Sequence, residues 1–146
     1  MKTTTLKSGS ARLAVVGAVL AVVAAVGETL YGFAYAQYAD CVVVLSYLLG
    51  AALLAAYVFT NTKLTYWLNL LGVVAAGFGL GLFITNSYNV WADTWGNLNQ
   101  YGSLTGAFSF FNSQGGPFPA AALIVLGLAA SICGVISCFG GKENAK

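Results

Sequence analysis

The sequence contains very little charge. Of its 146 residues, 7% are Asp, Glu, Lys or Arg, whereas 59% are hydrophobic. A soluble domain of average composition carries about 25% charged residues. So few charges cannot cover a water-facing surface, and we infer that membrane lipid covers most of this chain. The net charge of +2 is also too small to indicate binding to nucleic acid.

Histidine is absent, which removes the commonest general base and the commonest metal ligand. The three cysteines do not form a C-x-x-C motif, and Cys133 and Cys138 are five residues apart, so they do not share a helix face. There is no P-loop, no Ser–His arrangement and no pair of neighbouring acids in the segment between the last two apolar runs. We therefore predict that the protein is not an enzyme and has no catalytic residue, metal or cofactor.

Four long apolar runs make up most of the sequence, and prolines occur only at the start of the fourth run. Each run has 19 to 24 residues, which as a helix spans roughly 28 to 36 Å and is enough to cross a bilayer. The predicted fold class is all-α: a single domain, residues 1–146, that forms a polytopic four-transmembrane-helix bundle with a structured extracytoplasmic loop at 86–117. The predicted spans are 13–36, 41–59, 64–85 and 118–139.

The cations indicate an orientation for these spans. With four spans, all six basic residues fall on one side of the membrane, whereas Asp40 and Asp93 fall on the other. This positive-inside pattern predicts a multi-pass protein of the plasma membrane with both termini in the cytoplasm. The six basic residues are Lys2, Lys7, Arg12, Lys63, Lys142 and Lys146.

The first run has a second interpretation. Basic residues, an apolar stretch and Ala34-Tyr35-Ala36 also fit a secretory signal with a small-residue cleavage site. The run is long for a signal, so we expect a true membrane span.

Small residues recur at helical spacing within the spans. Because lipid is as apolar as leucine, membrane helices associate through close packing of small residues or through hydrogen bonds. We expect these residues to pack helices inside the bundle, with docking of a partner helix as the alternative. The predicted packing residues are Gly72, Gly77, Gly81, Gly127 and Gly134.

Two polar side chains within the spans are predicted sites. Glu28 is the one ionisable acid inside a run, and an intramembrane carboxylate is a functional candidate by default. Its distance from Arg12, roughly 24 Å along a helix, places it towards the outer boundary. We expect it to accept hydrogen bonds there, with transport coupling as the less favoured alternative. Asn69 is expected to bridge two helices.

The segment 86–117 is neutral and rich in rings and amides. A short helix is predicted over 87–98, with its tryptophans in the membrane interface. Three interpretations remain open: a cap on the bundle, a docking surface for a larger protein, or a site for a neutral ligand such as a glycan. The candidate contact residues are Trp91, Asp93, Trp95, Tyr101, Phe108, Phe110 and Phe111.

Two stretches, TLYGFAYAQYADCVVVLSYLLGA and NVWADTW, give the chain a resemblance to small uncharacterised four-span bacterial membrane proteins. The resemblance covers the hydropathy plan of most of the chain and implies an accessory membrane subunit at most. We therefore predict a non-catalytic accessory or scaffold subunit, whose partner is a larger membrane protein or a second copy of the chain. The alternatives are a small oligomeric channel or transporter, and glycan binding beside a membrane-bound enzyme.

Overall fold

The computed structural model describes residues 9–35, 40–60, 65–89, 91–92 and 117–139. Within these ranges the chain forms four long α-helices, and no strand occurs among them. All four are long and apolar enough to cross a membrane, which is typical of a multi-pass membrane protein. The helices are α1 (Gly9–Ala34), α2 (Cys41–Phe59), α3 (Thr65–Asn86) and α4 (Pro117–Phe139).

The helix bounds match the predicted spans to within one or two residues except at the start of α1. That helix begins at Gly9, four residues before the predicted span. The extra turn is polar, and hydropathy alone therefore excluded it. It is nevertheless buried at Ser10 and Ala11, because Ser10 bonds to two other helices.

The helices form an antiparallel bundle in which each contacts its neighbours in the chain and α4 closes onto α1. Two ends can be defined. The Asp40 end holds the C-termini of α1 and α3 and the N-termini of α2 and α4. The Ser10 end holds the opposite termini. The side of the membrane on which each end lies stays a prediction.

On α1, small side chains face the interior of the bundle and large side chains face outwards. The inner face of α1 is a row of alanines at spacings of three and four, with Ala14, Ala18 and Ala21 all buried. Its outer face carries valines and leucines that are 42% to 63% exposed. A soluble bundle would bury those large side chains. Here they point outwards because lipid solvates them as well as protein does, and small residues bring the helices close.

Glycines allow the closest helix contacts. A Cβ built on Gly50 of α2 would lie 2.9 Å from the carbonyl oxygen of Gly72 on α3. A Cβ on Gly134 would overlap Val73 across the α3–α4 interface. Gly127 packs against the hydroxyl of Tyr47. Of the predicted packing residues, Gly72, Gly127 and Gly134 thus lie at close contacts between helices.

Gly77 and Gly81, also predicted as packing residues, make no such contact within the described structure. A Cβ at either position would meet no heavy atom of the described structure within 4 Å. Both lie on the outward side of α3, because the inward side is already occupied by Gly72, Ala76 and Leu80. The G-x-x-x-G spacing thus leaves a notch on the surface of the bundle.

The Asp40 end is held by a polar cap. Asp40 is the N-cap of α2, where its Oδ1 accepts a hydrogen bond of 2.8 Å from the backbone N–H of Val42. Its Oδ2 accepts a second bond of 2.8 Å from the side-chain amide of Asn86, the last residue of α3. One carboxylate therefore satisfies a free helix N–H and joins two helices.

Candidate functional site

Polar groups from all four helices meet at the Ser10 end. The Ser10 hydroxyl of α1 donates to the backbone carbonyl of Ser137 on α4 at 2.5 Å, and lies 2.8 Å from the hydroxyl of Tyr57 on α2. Since a serine has one proton to donate, the Tyr57 hydroxyl is the donor to Ser10. Ser137 in turn donates to Asn69 Oδ1 on α3 at 3.0 Å.

In this network Asn69 of α3 is joined to α4 by its bond from Ser137. The Asn69 side chain is 1% exposed, and its Nδ2 has no hydrogen-bond partner among the described residues. The Ser137 hydroxyl also lies 2.6 Å from the carbonyl of Gly134, so its single proton is shared between two acceptors. Within the described residues, the Asn69 Nδ2 is thus the one donor of this network that has no acceptor.

A second polar group lies towards the Asp40 end. Glu28 of α1 is 2% exposed, and neither carboxylate oxygen has a hydrogen-bond partner in the described part of the chain. Tyr47 of α2 is also 2% exposed, and its hydroxyl is likewise unpartnered there. Glu28 lies six residues before the end of α1 and Tyr47 six residues after the start of α2, so the two side chains lie at about the same level of this antiparallel pair.

The position of Glu28 differs in one respect from the expectation. Glu28 does lie in the part of α1 nearer the Asp40 end, six residues before Ala34. It was expected to be hydrogen-bonded at a boundary where water is near. Instead it faces inwards, because it continues the alanine row of α1 at Ala21, Ala24 and Ala25.

Leu54 separates the two polar groups. It is fully buried in the middle of α2. Built Cβ atoms on Gly17, Gly72 and Gly134 would each lie within 4 Å of its side chain, so Leu54 faces α1, α3 and α4 together. The centre of the bundle is therefore apolar, with one polar group on each side.

The outward side of α3 carries a continuous seam at spacings of three and four residues. We call these residues the α3 seam: Leu70, Val74, Gly77, Gly81, Ile84 and Tyr88. The four large members are 43% to 67% exposed. The two glycines lie between them, so the seam has bulky ends and a notch in the middle.

An apolar groove runs between α1 and α4 at the Asp40 end. Its volume is about 400 Å³, and its walls include Gly27, Tyr31, Pro119 and Leu123. The groove does not reach Glu28, whose side chain is buried from that direction. Its size and lining suit an acyl chain or a hydrophobic side chain.

Before α4, the structure describes only the first residues of the aromatic segment 86–117. Residues 88–89 and 91–92 are helical, as predicted for the beginning of the 87–98 helix. Trp91 is partly buried against the main hydrophobic core, with its indole N–H buried and without a partner among the described residues. The other six candidate contacts lie outside the described residues: Asp93, Trp95, Tyr101, Phe108, Phe110 and Phe111.

Sequence reasoning missed Ser10 and Ser137 as members of the Asn69 network, and it did not single out Tyr47 or Tyr57 as sites. Tyrosine is common in membrane helices near the interface, so neither tyrosine stood out. A signal was present nonetheless: Tyr47 and Tyr57 lie on the same face of α2 as Gly50 and Leu54, which is the buried face.

No chemistry beyond proton exchange and hydrogen bonding is apparent in these groups. Within the described ranges, no three His, Cys, Asp or Glu side chains come together. The absence of enzyme activity, metal and cofactor stays a prediction. Comparisons with protein-family models, curated proteins and solved structures gave no match. The resemblance to small four-span bacterial proteins therefore also stays a prediction, beyond the four apolar helices themselves.

Proposed function

We propose that this protein is a non-catalytic accessory or scaffold subunit of a membrane complex. It binds a helix of a larger membrane protein along the α3 seam. The aromatic segment 86–117 contributes a further contact at the membrane surface. The protein lies in the plasma membrane with both termini in the cytoplasm, as the distribution of its cations indicates.

The notch at Gly77 and Gly81 carries this proposal. Glycine in a helix is less favourable than alanine by about 1 kcal/mol. At Gly50 or Gly72 that cost is offset by close contact with another helix, but at Gly77 and Gly81 the described part of the chain offers no such contact. A partner helix crossing the notch would supply it, because G-x-x-x-G lets two backbones approach closely.

The arrangement of the seam also suits a helix. Leu70 and Val74 on one side of the notch, with Ile84 and Tyr88 on the other, present large side chains that a crossing helix can pack between. Exposed large side chains alone would suit lipid equally well. The two glycines between them distinguish this face from the valine-rich face of α1.

A channel or transporter formed by oligomerisation is the second candidate. The buried polar groups at both ends of the interior favour it, since they come from different helices and are not visible as a stripe on any one of them. Leu54, which fills the centre, argues against a path through a single copy. Glycan binding has no support from the described residues.

Copurification tests the proposed function. The tagged protein is extracted from its native membrane in mild detergent, and we expect a larger membrane protein to copurify in fixed stoichiometry. The double variant Gly77→Leu with Gly81→Leu should lose that protein, because leucine fills the notch. The control Ala52→Leu enlarges an outward-facing small residue on α2 and should retain it.

Self-association is distinguished with two differently tagged copies. If the copies purify together and the glycine variants separate them, the partner is a second copy of the chain. If the protein purifies as a lone monomer, or if the glycine variants retain the larger protein as well as Ala52→Leu does, then the seam is not the docking surface.

A further inference from the structure

The geometry points to a proton-binding site inside the bundle, formed by Glu28 with Tyr47. This inference is independent of the proposed docking function, because neither residue reaches the surface. The site lies between α1 and α2 towards the Asp40 end, and the proton is bound by the Glu28 carboxyl.

The first argument is the lack of partners. Two carboxylate oxygens and one phenol oxygen are buried with no hydrogen bond to the described residues. Buried polar groups are otherwise nearly always paired, and an intramembrane acid normally pairs with another polar group. The Glu28 carboxyl is therefore buried without a described partner and is free to bind a proton.

The second argument is the charge around Glu28. On α1 and directly after it, the titratable neighbours are Tyr31, which is buried one turn from Glu28, and the partly buried Tyr35, and the nearest cation is Arg12, sixteen residues away. From α2 the site faces Tyr47, and Asp40 at the N-cap of that helix adds a like charge within range. The described parts of α3 and α4 carry no Asp, Glu, Lys or Arg, and their titratable side chains are Tyr66, Tyr88, Cys133 and Cys138.

None of those last four residues faces Glu28. Tyr66 and Tyr88 are exposed, while Cys133 and Cys138 lie in the half of α4 nearer the Ser10 end. The faces of α3 and α4 around Tyr47 are formed by Leu80 and Gly127. A bare carboxylate at Glu28 would thus have no described cation to balance it.

The third argument is space. A methyl group on Gly127 would overlap the Tyr47 hydroxyl and approach Leu80, so the protein is closely packed there. An organic ligand does not fit. A metal cation requires more oxygen ligands than two from Glu28 and one from Tyr47, and the backbone carbonyls nearby belong to unbroken helices. A proton needs no space and neutralises the acid.

The proton exchanges at the Asp40 end. Glu28 lies six residues, about 9 Å along the helix, from the end of α1. Towards the other end the interior is closed by Leu54. Leu54 thus blocks exchange from the Ser10 end, and we expect the proton to reach Glu28 from the Asp40 end, as it would in a proton sensor.

Carbodiimide labelling tests the site, since carbodiimides react with protonated carboxylic acids. The protein in liposomes is treated with a membrane-soluble carbodiimide at a series of pH values, and the adducts are mapped by mass spectrometry. We expect the adduct on Glu28, with a yield that falls several-fold as the pH is raised. A water-soluble carbodiimide should label Asp40, Asp93 or Glu143 and leave Glu28 unmodified.

Two tyrosine variants serve as a matched pair. Tyr47→Phe removes the hydroxyl beside Glu28 and should shift the pH at which labelling is half-maximal. Tyr57→Phe removes the hydroxyl of the other buried tyrosine of α2, at the Ser10 end, and should leave that pH unchanged. Glu28→Gln should abolish the adduct and confirm its assignment.

Three results would overturn the inference. They are the absence of a Glu28 adduct in the folded wild-type protein, a yield that does not vary with pH, and equal shifts for Tyr47→Phe and Tyr57→Phe. The wild-type measurement does not depend on the folding of any variant. Copurification of a partner is unaffected by each of these results, so this inference and the proposed function fail separately.

Discussion

The hydroxyl of Ser137 on α4 donates a hydrogen bond to the side-chain oxygen of Asn69 on α3, at a distance of 3.0 Å inside the apolar bundle. This bond joins two helices that are separated in the chain by the 86–117 segment. The backbone carbonyl of Ser137 also accepts a hydrogen bond from the Ser10 hydroxyl, which in turn accepts one from Tyr57. The four helices are thus tied at one end by hydrogen bonds and along their length by small residues.

Loss of the Ser137 hydroxyl should destabilise the bundle. We expect Ser137→Ala to lower the free energy of unfolding by about 1 kcal/mol, as measured by titration with SDS in mixed micelles, because interhelical hydrogen bonds in membranes are worth that much or less. Ser131→Ala is the control on the same helix, since the Ser131 hydroxyl has no hydrogen-bond partner in the described structure. An equal loss in both variants would show that the bond to Asn69 contributes nothing.

Glycines facing inwards and outwards should respond oppositely to alanine. We expect Gly50→Ala to destabilise the protein by about 1 to 3 kcal/mol, since its methyl group would press on the Gly72 backbone. Gly77→Ala should be neutral or stabilising by up to about 1 kcal/mol, because the methyl group meets open space and alanine favours the helix. Unfolding of the isolated protein in detergent measures both. A large loss at Gly77 would mean that this position is packed within a single copy.

The two buried tyrosines of α2 should differ in stability as well. Tyr57→Phe removes a hydrogen bond to Ser10 and should cost about 1 kcal/mol. Tyr47→Phe removes a hydroxyl that has no protein partner in the described part of the chain and should be neutral or stabilising. SDS titration of the two variants in parallel checks the difference. The reverse order would contradict the hydrogen-bond assignment.

The buried Glu28 carboxyl should lower the free energy of unfolding of the protein. Glu28→Met replaces an unpaired buried carboxyl by an apolar side chain of similar shape, and we expect the free energy of unfolding to rise by about 1 kcal/mol or more. Glu28→Gln keeps the polarity and should give a smaller gain. The measurement is again unfolding in mixed micelles. A large loss of stability in Glu28→Met would show that the carboxyl is a structural element of the bundle.

The orientation can be tested by labelling of single cysteines in intact cells. With the three native cysteines replaced, a membrane-impermeant maleimide added outside should label Asp93→Cys and leave Lys63→Cys unlabelled until the membrane is opened. The reason is the exclusion of lysine and arginine from the translocated side. Labelling of Lys63→Cys from outside would invert the topology. The docking proposal for α3 would still stand, because the seam lies within the membrane in either orientation.

Much of this fold was predictable from the sequence. The four runs and their lengths follow from hydropathy, since only a helix of about that length satisfies its own backbone hydrogen bonds across a bilayer. The sequence also singles out Asn69 as an amide within an apolar span, and in the structure its side chain accepts a hydrogen bond from Ser137 on α4. The start of α1 was misplaced by four residues, because Ser10 is polar in the sequence yet buried by its partners on α2 and α4.

Tertiary structure alone decided which side of each helix faces the interior. Every helix here is apolar on all sides, so hydropathy does not indicate the buried face as it would in a soluble bundle. Gly72 and Gly77 are indistinguishable by composition, yet one is in contact with α2 and the other is open. In the same way, Glu28 and Tyr47 are nineteen residues apart in the chain and come together only because α1 and α2 pack antiparallel. The sequence by itself determined that the chain has four helices long and apolar enough to cross a membrane, because its apolar runs have that length and almost no charge. The packing of small residues then determined which polar groups share the dry interior.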